Sequence, residues 1–105
     1  MKQEDIETLE ILGHVYFLQG RAKEANIVFN GILALNDNNE SALRHLAALS
    51  LDEGNGSEAL RRIDACASAD SALWLMRAKA LHMEDRKAEA AESMAEYVRR
   101  NQADR

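Results

Sequence analysis

One six-residue motif occurs three times in this chain, and each copy follows an apolar stretch. The copies are Gly20–Ala25, Gly54–Ala59 and Asp85–Ala90, each ending in Glu-Ala, so the spacing is 34 and then 31 residues. A period of this length is typical of arrays of helix-turn-helix units and not of strand-built repeats. The chain is therefore predicted to be all-α, with its function on a surface formed by repeated helices.

The apolar residues predict six helices. They recur every three or four positions, which places them on one face of each helix. Gly20 and Gly54 can adopt the left-handed conformation that ends a helix, and Asn55 with Glu58 three residues later forms a capping-box variant. The predicted helices are 3–18, 22–35, 40–52, 56–67, 71–83 and 87–100. Four large side chains are expected to be buried: Tyr16, Phe29, Ile63 and Trp74.

Composition predicts one domain that covers 1–105. The chain has 105 residues, 47% of them hydrophobic, with no Pro and five Gly, and no linker-like segment divides it. The repeats are placed at about 6–39, 40–70 and 71–104. A domain of this size buries only about two thirds of its unfolded surface, so its stability depends on stacking between neighbouring repeats. No polar capping helix is expected after the last repeat, whose outer face is mildly apolar.

Charge and hydropathy exclude several classes of function. The net charge is −5 and acidic residues concentrate near the start, whereas nucleic-acid binding needs a basic face. No segment approaches the ~18 apolar residues of a membrane span, and no charged-then-apolar leader opens the chain. The single cysteine, Cys66, suits a reducing compartment and a packing role. We therefore expect a cytosolic protein without nucleic-acid partners or membrane insertion.

The three histidines form no recognisable metal or catalytic motif. His14, His45 and His82 include no pair four residues apart and have no Cys or Asp on the same turn. No serine-histidine-aspartate set, phosphate-binding glycine loop or catalytic carboxylate pair can be assigned. We expect no metal, no cofactor and no enzymatic activity. The alternative for His14 and His82 is that they line a binding surface.

Position by position, the chain resembles the tetratricopeptide family. The matching residues are Leu9, Leu12, Gly13, Tyr16, Gly20, Ala25 and Phe29 in the first repeat; Leu43, Leu46, Ala47, Gly54, Ala59 and Ile63 in the second; and Trp74, Ala78, Leu81, Asp85, Ala90, Met94 and Tyr97 in the third. The resemblance implies three helix-turn-helix repeats stacked in a short right-handed superhelix. The first helix of each repeat would then line a concave groove.

The same resemblance implies a set of groove residues. They are Glu10, His14, Phe17, Arg44, Ala48, Leu51, Ala72, Leu75, Lys79 and His82, and Glu7 and Ser41 occupy two further groove-facing positions. The carboxylate clamp of cochaperones is absent, because its five positions hold Glu10, His14, His45, Ala72 and Met76. An apolar floor between an acidic and a basic side suits an amphipathic helix or an apolar extended segment. Alternatively, Phe17 and Leu51 complete the core.

A narrower resemblance is to the tetratricopeptide chaperones of bacterial type III secretion, closest to the YscY type that holds the early exported X-type subunit. It is carried by 13–16, 20–21, 33–36, 44–49, 74–81 and Tyr97. It implies a protein of the bacterial cytoplasm that binds and stabilises this exported subunit and helps to target it to the export gate. The cytoplasmic domain of the gate is a second implied partner. The alternatives are a needle-subunit or translocator chaperone, a generic tetratricopeptide scaffold, or a fragment of a longer array.

Overall fold

Six helices make up the regular structure of residues 2–68 and 70–103, which are the residues that the computed structural model describes. The helices are α1 (Gln3–Leu18), α2 (Ala22–Leu35), α3 (Glu40–Asp52), α4 (Gly56–Asp64), α5 (Ser71–Met83) and α6 (Lys87–Ala103). The all-α prediction is confirmed, and the bounds of α1, α2, α3 and α5 agree with those expected. The predicted end of the last repeat, at 104, lies outside the described residues.

Two predicted helix ends were wrong by three residues. α4 ends at Asp64 and not at 67, because the following chain is drawn toward α3: the backbone N–H and hydroxyl of Ser68 donate to the Glu40 carboxylate at 2.8 and 2.6 Å. α6 continues past 100 to Ala103. Arg99 and Arg100 both pair with Glu96 one turn earlier, and such pairs support the end of a helix.

The same turn follows α1, α3 and α5. In each, a backbone N–H just beyond the helix donates to a carbonyl of the last helical turn: Arg21 to Tyr16 at 2.9 Å, Asn55 to Ser50 at 2.8 Å and Arg86 to Leu81 at 2.9 Å. The residue before each donor is left-handed, with φ of 73° at Gly20, 77° at Gly54 and 58° at Asp85. The glycine prediction is confirmed, and Asp85 adopts the same conformation despite its side chain, at a cost of about 1 kcal/mol.

Helix packing places alternate helices side by side. Each helix packs against the next one in the chain, and in addition α1 contacts α3 and α3 contacts α5. The small residues of the repeat pattern are enclosed by this packing: Gly13, Ala25, Ala47, Ala59 and Ala78 are buried, and Ala90 is half-buried. Asn55 caps α4 as expected, accepting from the Glu58 N–H at 3.1 Å, although the Glu58 side chain turns to Arg61 and Arg62 instead of closing the box.

Phe29 lies where the first three helices meet. Its side chain is fully buried within a cluster formed with Ile6, Ala25, Ile32, Ala42, Leu46 and Leu49. On one side the ring lies against Gly13 of α1, where an added Cβ would stand 2.7 Å from the Phe29 ring. On another side it stacks on His45 of α3, with ring centroids 4.4 Å apart. Phe29 therefore fixes α1 and α3 relative to α2.

Of the four large side chains that the sequence predicted to be buried, two are only half-buried. Phe29 and Ile63 are buried as predicted, but Tyr16 and Trp74 keep part of their surface in solvent. An arginine covers a face of each ring: the Arg21 guanidinium lies 4.6 Å from the Tyr16 centroid, and that of Arg100 5.6 Å from the Trp74 centroid. In both cases the flexible arginine side chain shields part of the ring from solvent. Complete burial of the ring would require another helix beside it.

The Gly13–Phe29 contact predicts opposite effects for two glycine-to-alanine substitutions. Gly13→Ala should lower the free energy of unfolding by about 1 to 3 kcal/mol, because the buried Phe29 ring has no room to move away from the new methyl group. Gly31→Ala on the exposed side of α2 should raise it by about 0.5 to 1 kcal/mol, since nothing lies near the added Cβ. Urea unfolding of both variants checks this; equal effects would contradict the close contact between Gly13 and the Phe29 ring.

Candidate partner-binding surface

The ten predicted groove residues lie on α1, α3 and α5, the three helices that pack side by side. They differ in how much surface they offer. Four are exposed, namely His14, Ala72, Lys79 and His82. Six are half-buried, namely Glu10, Phe17, Arg44, Ala48, Leu51 and Leu75. The predicted residues of α1, α3 and α5 therefore lie on helices that contact one another. Several of these side chains, however, already have partners within the chain.

Phe17 and Leu51 both join the interior. Phe17 packs against the cluster around Phe29, and its ring meets the His45 ring edge to face at a centroid distance of 5.1 Å. Leu51 packs against the cluster formed by Ala59, Leu60, Ala80 and Leu81. Both side chains keep some exposed surface, so each can still present an apolar edge to a partner. Most of their area nevertheless serves the core, in agreement with the alternative drawn from the sequence.

His14 and His45 form a hydrogen bond across α1 and α3, at 3.0 Å between Nδ1 of His14 and Nε2 of His45. Nδ1 of His45 lies 2.6 Å from the Ser41 carbonyl, which can only accept, so this nitrogen carries the proton. Nε2 of neutral His45 then accepts, and His14 is the donor. Burial lowers the pKa of His45 below its ordinary value of 6.5, which favours this neutral form.

Glu10 holds the start of α3. Its carboxylate accepts from the side-chain amide of Asn39 at 2.9 Å, while the amide oxygen of Asn39 caps α3 by accepting from the Ala42 N–H at 2.9 Å. The predicted acidic side of the groove is therefore part of a chain of bonds from α1 to the first turn of α3. A partner that binds Glu10 has to share it with Asn39.

Arg44 holds the start of α5. Its guanidinium binds the Asp70 carboxylate at 3.1 and 2.9 Å through two nitrogens, and also donates to the Ser68 hydroxyl at 3.2 Å. Asp70 in turn caps α5 by accepting from the Leu73 N–H at 3.1 Å. The hydrogen bond with Arg44 lowers the pKa of Asp70, and the same bond raises the pKa of Arg44. Arg44 thus positions α5, and a partner carboxylate has to compete with Asp70 for it.

The α5 end of the surface is the most available part. Lys79 and His82 line a cavity of about 370 Å³ between α5 and α6, whose other walls are largely apolar: Ala78, Lys87, Ala90, Ala91 and Met94. Both side chains are exposed, and Leu75 on the same helix is half-buried. An apolar trough edged by three cationic or polar groups, Lys79, His82 and Lys87, can take an apolar side chain whose neighbours are acidic.

A second cavity, of about 280 Å³, lies on the other side of α5 and was not expected from the sequence. Its walls include Cys66, Trp74 and Arg77. The indole N–H of Trp74 is buried and has no acceptor among residues 2–68 and 70–103. Burial raises the pKa of the Cys66 thiol, which keeps it protonated and makes it a poor nucleophile. The spacing of residues in the sequence did not predict this cavity. It forms beside the end of α4, and this helix ends earlier than the sequence indicated.

Four apolar side chains are exposed on α1, and of these only Leu12 belongs to the repeat pattern. Ile11, Leu12, Val15 and Leu18 are all exposed and lie on the side of the helix opposite Ile6 and Gly13. A helix with apolar residues on nearly every side is normally surrounded by protein. The spacing of Ile11, Val15 and Leu18 at intervals of four and three residues was the available signal. This signal was not recognised, because a second set of residues on the same helix, which is buried, matched the repeat pattern.

The histidine pair predicts that stability depends on pH. The pKa of His45 is lower in the folded chain than its ordinary value of 6.5, so the unfolded chain takes up the proton first as the pH falls. The free energy of unfolding should therefore be highest above pH 6.5 and decrease on acidification toward about pH 5, where most carboxylates are still ionised. His45→Gln should remove this dependence, whereas His82→Gln should retain it. Urea midpoints across this range measure it, and an unchanged slope in His45→Gln would contradict the assignment.

Within 2–68 and 70–103, no three His, Cys, Asp or Glu side chains come together as metal ligands. In those same ranges no helix is both long and apolar enough to cross a lipid bilayer. Neither protein-family models nor curated protein sequences give a match to this chain.

Proposed function

We propose that the six helices form three tetratricopeptide-like repeats in a short right-handed superhelix, and that the groove along α1, α3 and α5 binds another polypeptide. Two observations support this arrangement. The same left-handed turn follows each of these helices, at Gly20, Gly54 and Asp85. The three helices also contact one another laterally, as the first helices of stacked repeats would.

The proposed activity is that of a type III secretion chaperone. The chain would bind and stabilise the early exported X-type subunit in the bacterial cytoplasm and help to target it to the export gate. The choice of this system rests on the sequence resemblance. The observation that carries the binding function is the accessible apolar and basic surface of α5, where Leu75 is half-buried and Lys79 and His82 are exposed.

The bound segment is proposed to be an amphipathic helix or an apolar extended segment. Its apolar side would lie against Leu75, Ala48 and Ala72, which form the least polar part of the surface. Its acidic side would face Lys79 and His82. Arg44 has a smaller role than Lys79 in this arrangement, since the Asp70 carboxylate already binds it. A few buried anchors usually supply most of the affinity of such an interface.

This proposal predicts which substitutions weaken binding. Leu75→Ala should raise the Kd for the X-type subunit by about tenfold to a hundredfold, which corresponds to about 1 to 3 kcal/mol. Lys79→Glu should weaken binding through charge reversal and make it less sensitive to salt. Calorimetric titration with the subunit that co-purifies from the native cytosol measures both.

Leu35→Ala is the matched control, because Leu35 is exposed on α2 and lies outside the groove. It removes a similar apolar area and should leave the Kd unchanged. If Leu75→Ala and Lys79→Glu remain folded and bind with the wild-type Kd, the groove is not the binding site. If Leu35→Ala weakens binding as much as Leu75→Ala, the binding surface is not restricted to α1, α3 and α5.

A further inference from the structure

Two imidazole rings from different helices meet where α1 contacts α3. Nδ1 of His14 lies 3.0 Å from Nε2 of His45, and the rings are nearly perpendicular, with centroids 5.2 Å apart. Histidine ligands four residues apart on one helix can be recognised in a sequence. This pair cannot, because its members are 31 positions apart and meet only when α1 packs on α3. The packing thus brings together two nitrogen atoms of the kind that transition metals bind.

His45 is held in the orientation that a metal ligand needs. Its Nδ1–H donates to the Ser41 carbonyl at 2.6 Å, so Nε2 carries the lone pair. Histidines that bind metals commonly donate their second ring N–H to a backbone carbonyl, which fixes the tautomer and the direction of the ring. Stacking on Phe29 and the edge contact with Phe17 restrict the ring further. His45 is therefore preorganised as a nitrogen ligand.

His14 can become the second ligand by moving one proton. In the hydrogen-bonded pair its Nδ1 carries the proton, and its Nε2 has the lone pair. His14 is exposed, so solvent can transfer the proton from Nδ1 to Nε2 while the ring stays neutral. Nδ1 then presents a lone pair to the gap that Nε2 of His45 already faces. Two lone pairs this close repel each other unless a cation binds both, and that cation takes the place of the shared proton.

The separation of the two nitrogens suits a metal ion whose ligands lie at right angles. Imidazole nitrogens bind such ions at about 2.1 Å, so two of them at a right angle are about 3.0 Å apart, against about 3.4 Å on a tetrahedral ion. The observed distance is 3.0 Å. The ion would lie beside the line that joins the two nitrogens, and a rotation of the exposed His14 ring allows this. Tetragonal sites of nitrogen and oxygen ligands are typical of Cu²⁺ and Ni²⁺.

A carboxylate beside the pair also favours a cation. Glu10 lies one helical turn before His14 on α1 and is held in place by the side-chain amide of Asn39, at 2.9 Å. Burial lowers the pKa of His45, and the negative charge of Glu10 acts in the opposite direction, since it attracts positive charge to this ring. No third His, Cys, Asp or Glu of 2–68 and 70–103 completes a set of ligands with the pair. Water would therefore fill the remaining positions around an ion.

We propose that His14 and His45 form a two-histidine site for a divalent transition-metal ion of the Cu²⁺ and Ni²⁺ class. The ion would join α1 to α3 in place of the hydrogen bond between the rings. Mg²⁺ and Ca²⁺ should not bind here, because they prefer oxygen ligands to imidazole. The site requires no partner protein, so it is independent of the groove function proposed above.

Thermal unfolding of the full chain in metal-free buffer tests the site, with Ni²⁺ as the probe and Mg²⁺ for comparison. An ion that binds only the folded chain stabilises it, so Ni²⁺ at about a hundred times its Kd should lower the equilibrium constant of unfolding about a hundredfold. The Tm should rise accordingly with Ni²⁺ concentration, and Mg²⁺ should leave it unchanged.

His14→Gln is the most informative variant, because His14 is exposed and its replacement should leave the chain folded. It should abolish the rise in Tm that Ni²⁺ causes. His82→Gln is the matched control: it removes another exposed histidine, on α5, and should keep the full rise. In the wild-type chain, small amounts of paramagnetic Cu²⁺ should broaden the imidazole NMR signals of His14 and His45 before those of His82.

The proposal is overturned if Ni²⁺ leaves the Tm of the wild-type chain unchanged, or if His14→Gln keeps the rise. A rise that disappears in His82→Gln would place the ion elsewhere and overturn the assignment in the same way. All of these measurements use the chain alone, so their outcome is distinguishable from a failure of the proposed partner binding.

Discussion

The contact between Phe29, Gly13 and His45 is the interaction on which the arrangement of the first three helices depends. Gly13 allows α1 to approach the ring so closely that a methyl group would stand 2.7 Å from it. His45 covers the ring from α3, and Phe17 packs against the same cluster. Since α1 and α3 also supply much of the proposed groove, one buried phenylalanine sets the spacing between these two helices and therefore the width of that groove.

Polar contacts also fix how α3 lies against α1 and how α5 lies against α3. Glu10 reaches the capping residue of α3, and Arg44 reaches the capping residue of α5. In both cases a side chain on one groove helix binds the residue that begins the next groove helix. Glu10 and Arg44 thus orient the neighbouring helix, and in the proposed groove a partner that attracts either residue acts on that orientation as well.

Local patterns were sufficient to predict the helices, because helix formation here follows from short-range spacing and from turn residues. Gly20, Gly54 and Asn55 act within a few residues of their own position, and all three behave as expected. Contacts between repeats were harder to predict. The His14–His45 bond joins residues 31 positions apart, and Arg44 meets Asp70 across 26 positions. Neither follows from the period alone, because both depend on the rotation of one helix against another. For the same reason, the sequence left two alternatives for Phe17 and Leu51: each could line the groove or complete the core.

The single tryptophan gives the last helix pair its own optical signal. Trp74 lies on α5, its indole N–H is shielded from solvent, and the Arg100 guanidinium of α6 covers its ring. Its emission therefore reports on the separation of α5 from α6, while circular dichroism averages over all helices. In a linear array, energy is shared mainly between neighbours, so an end can open before the middle. Fluorescence and circular dichroism melting curves that fail to coincide would then reveal a fraying end and not a failure of the whole fold.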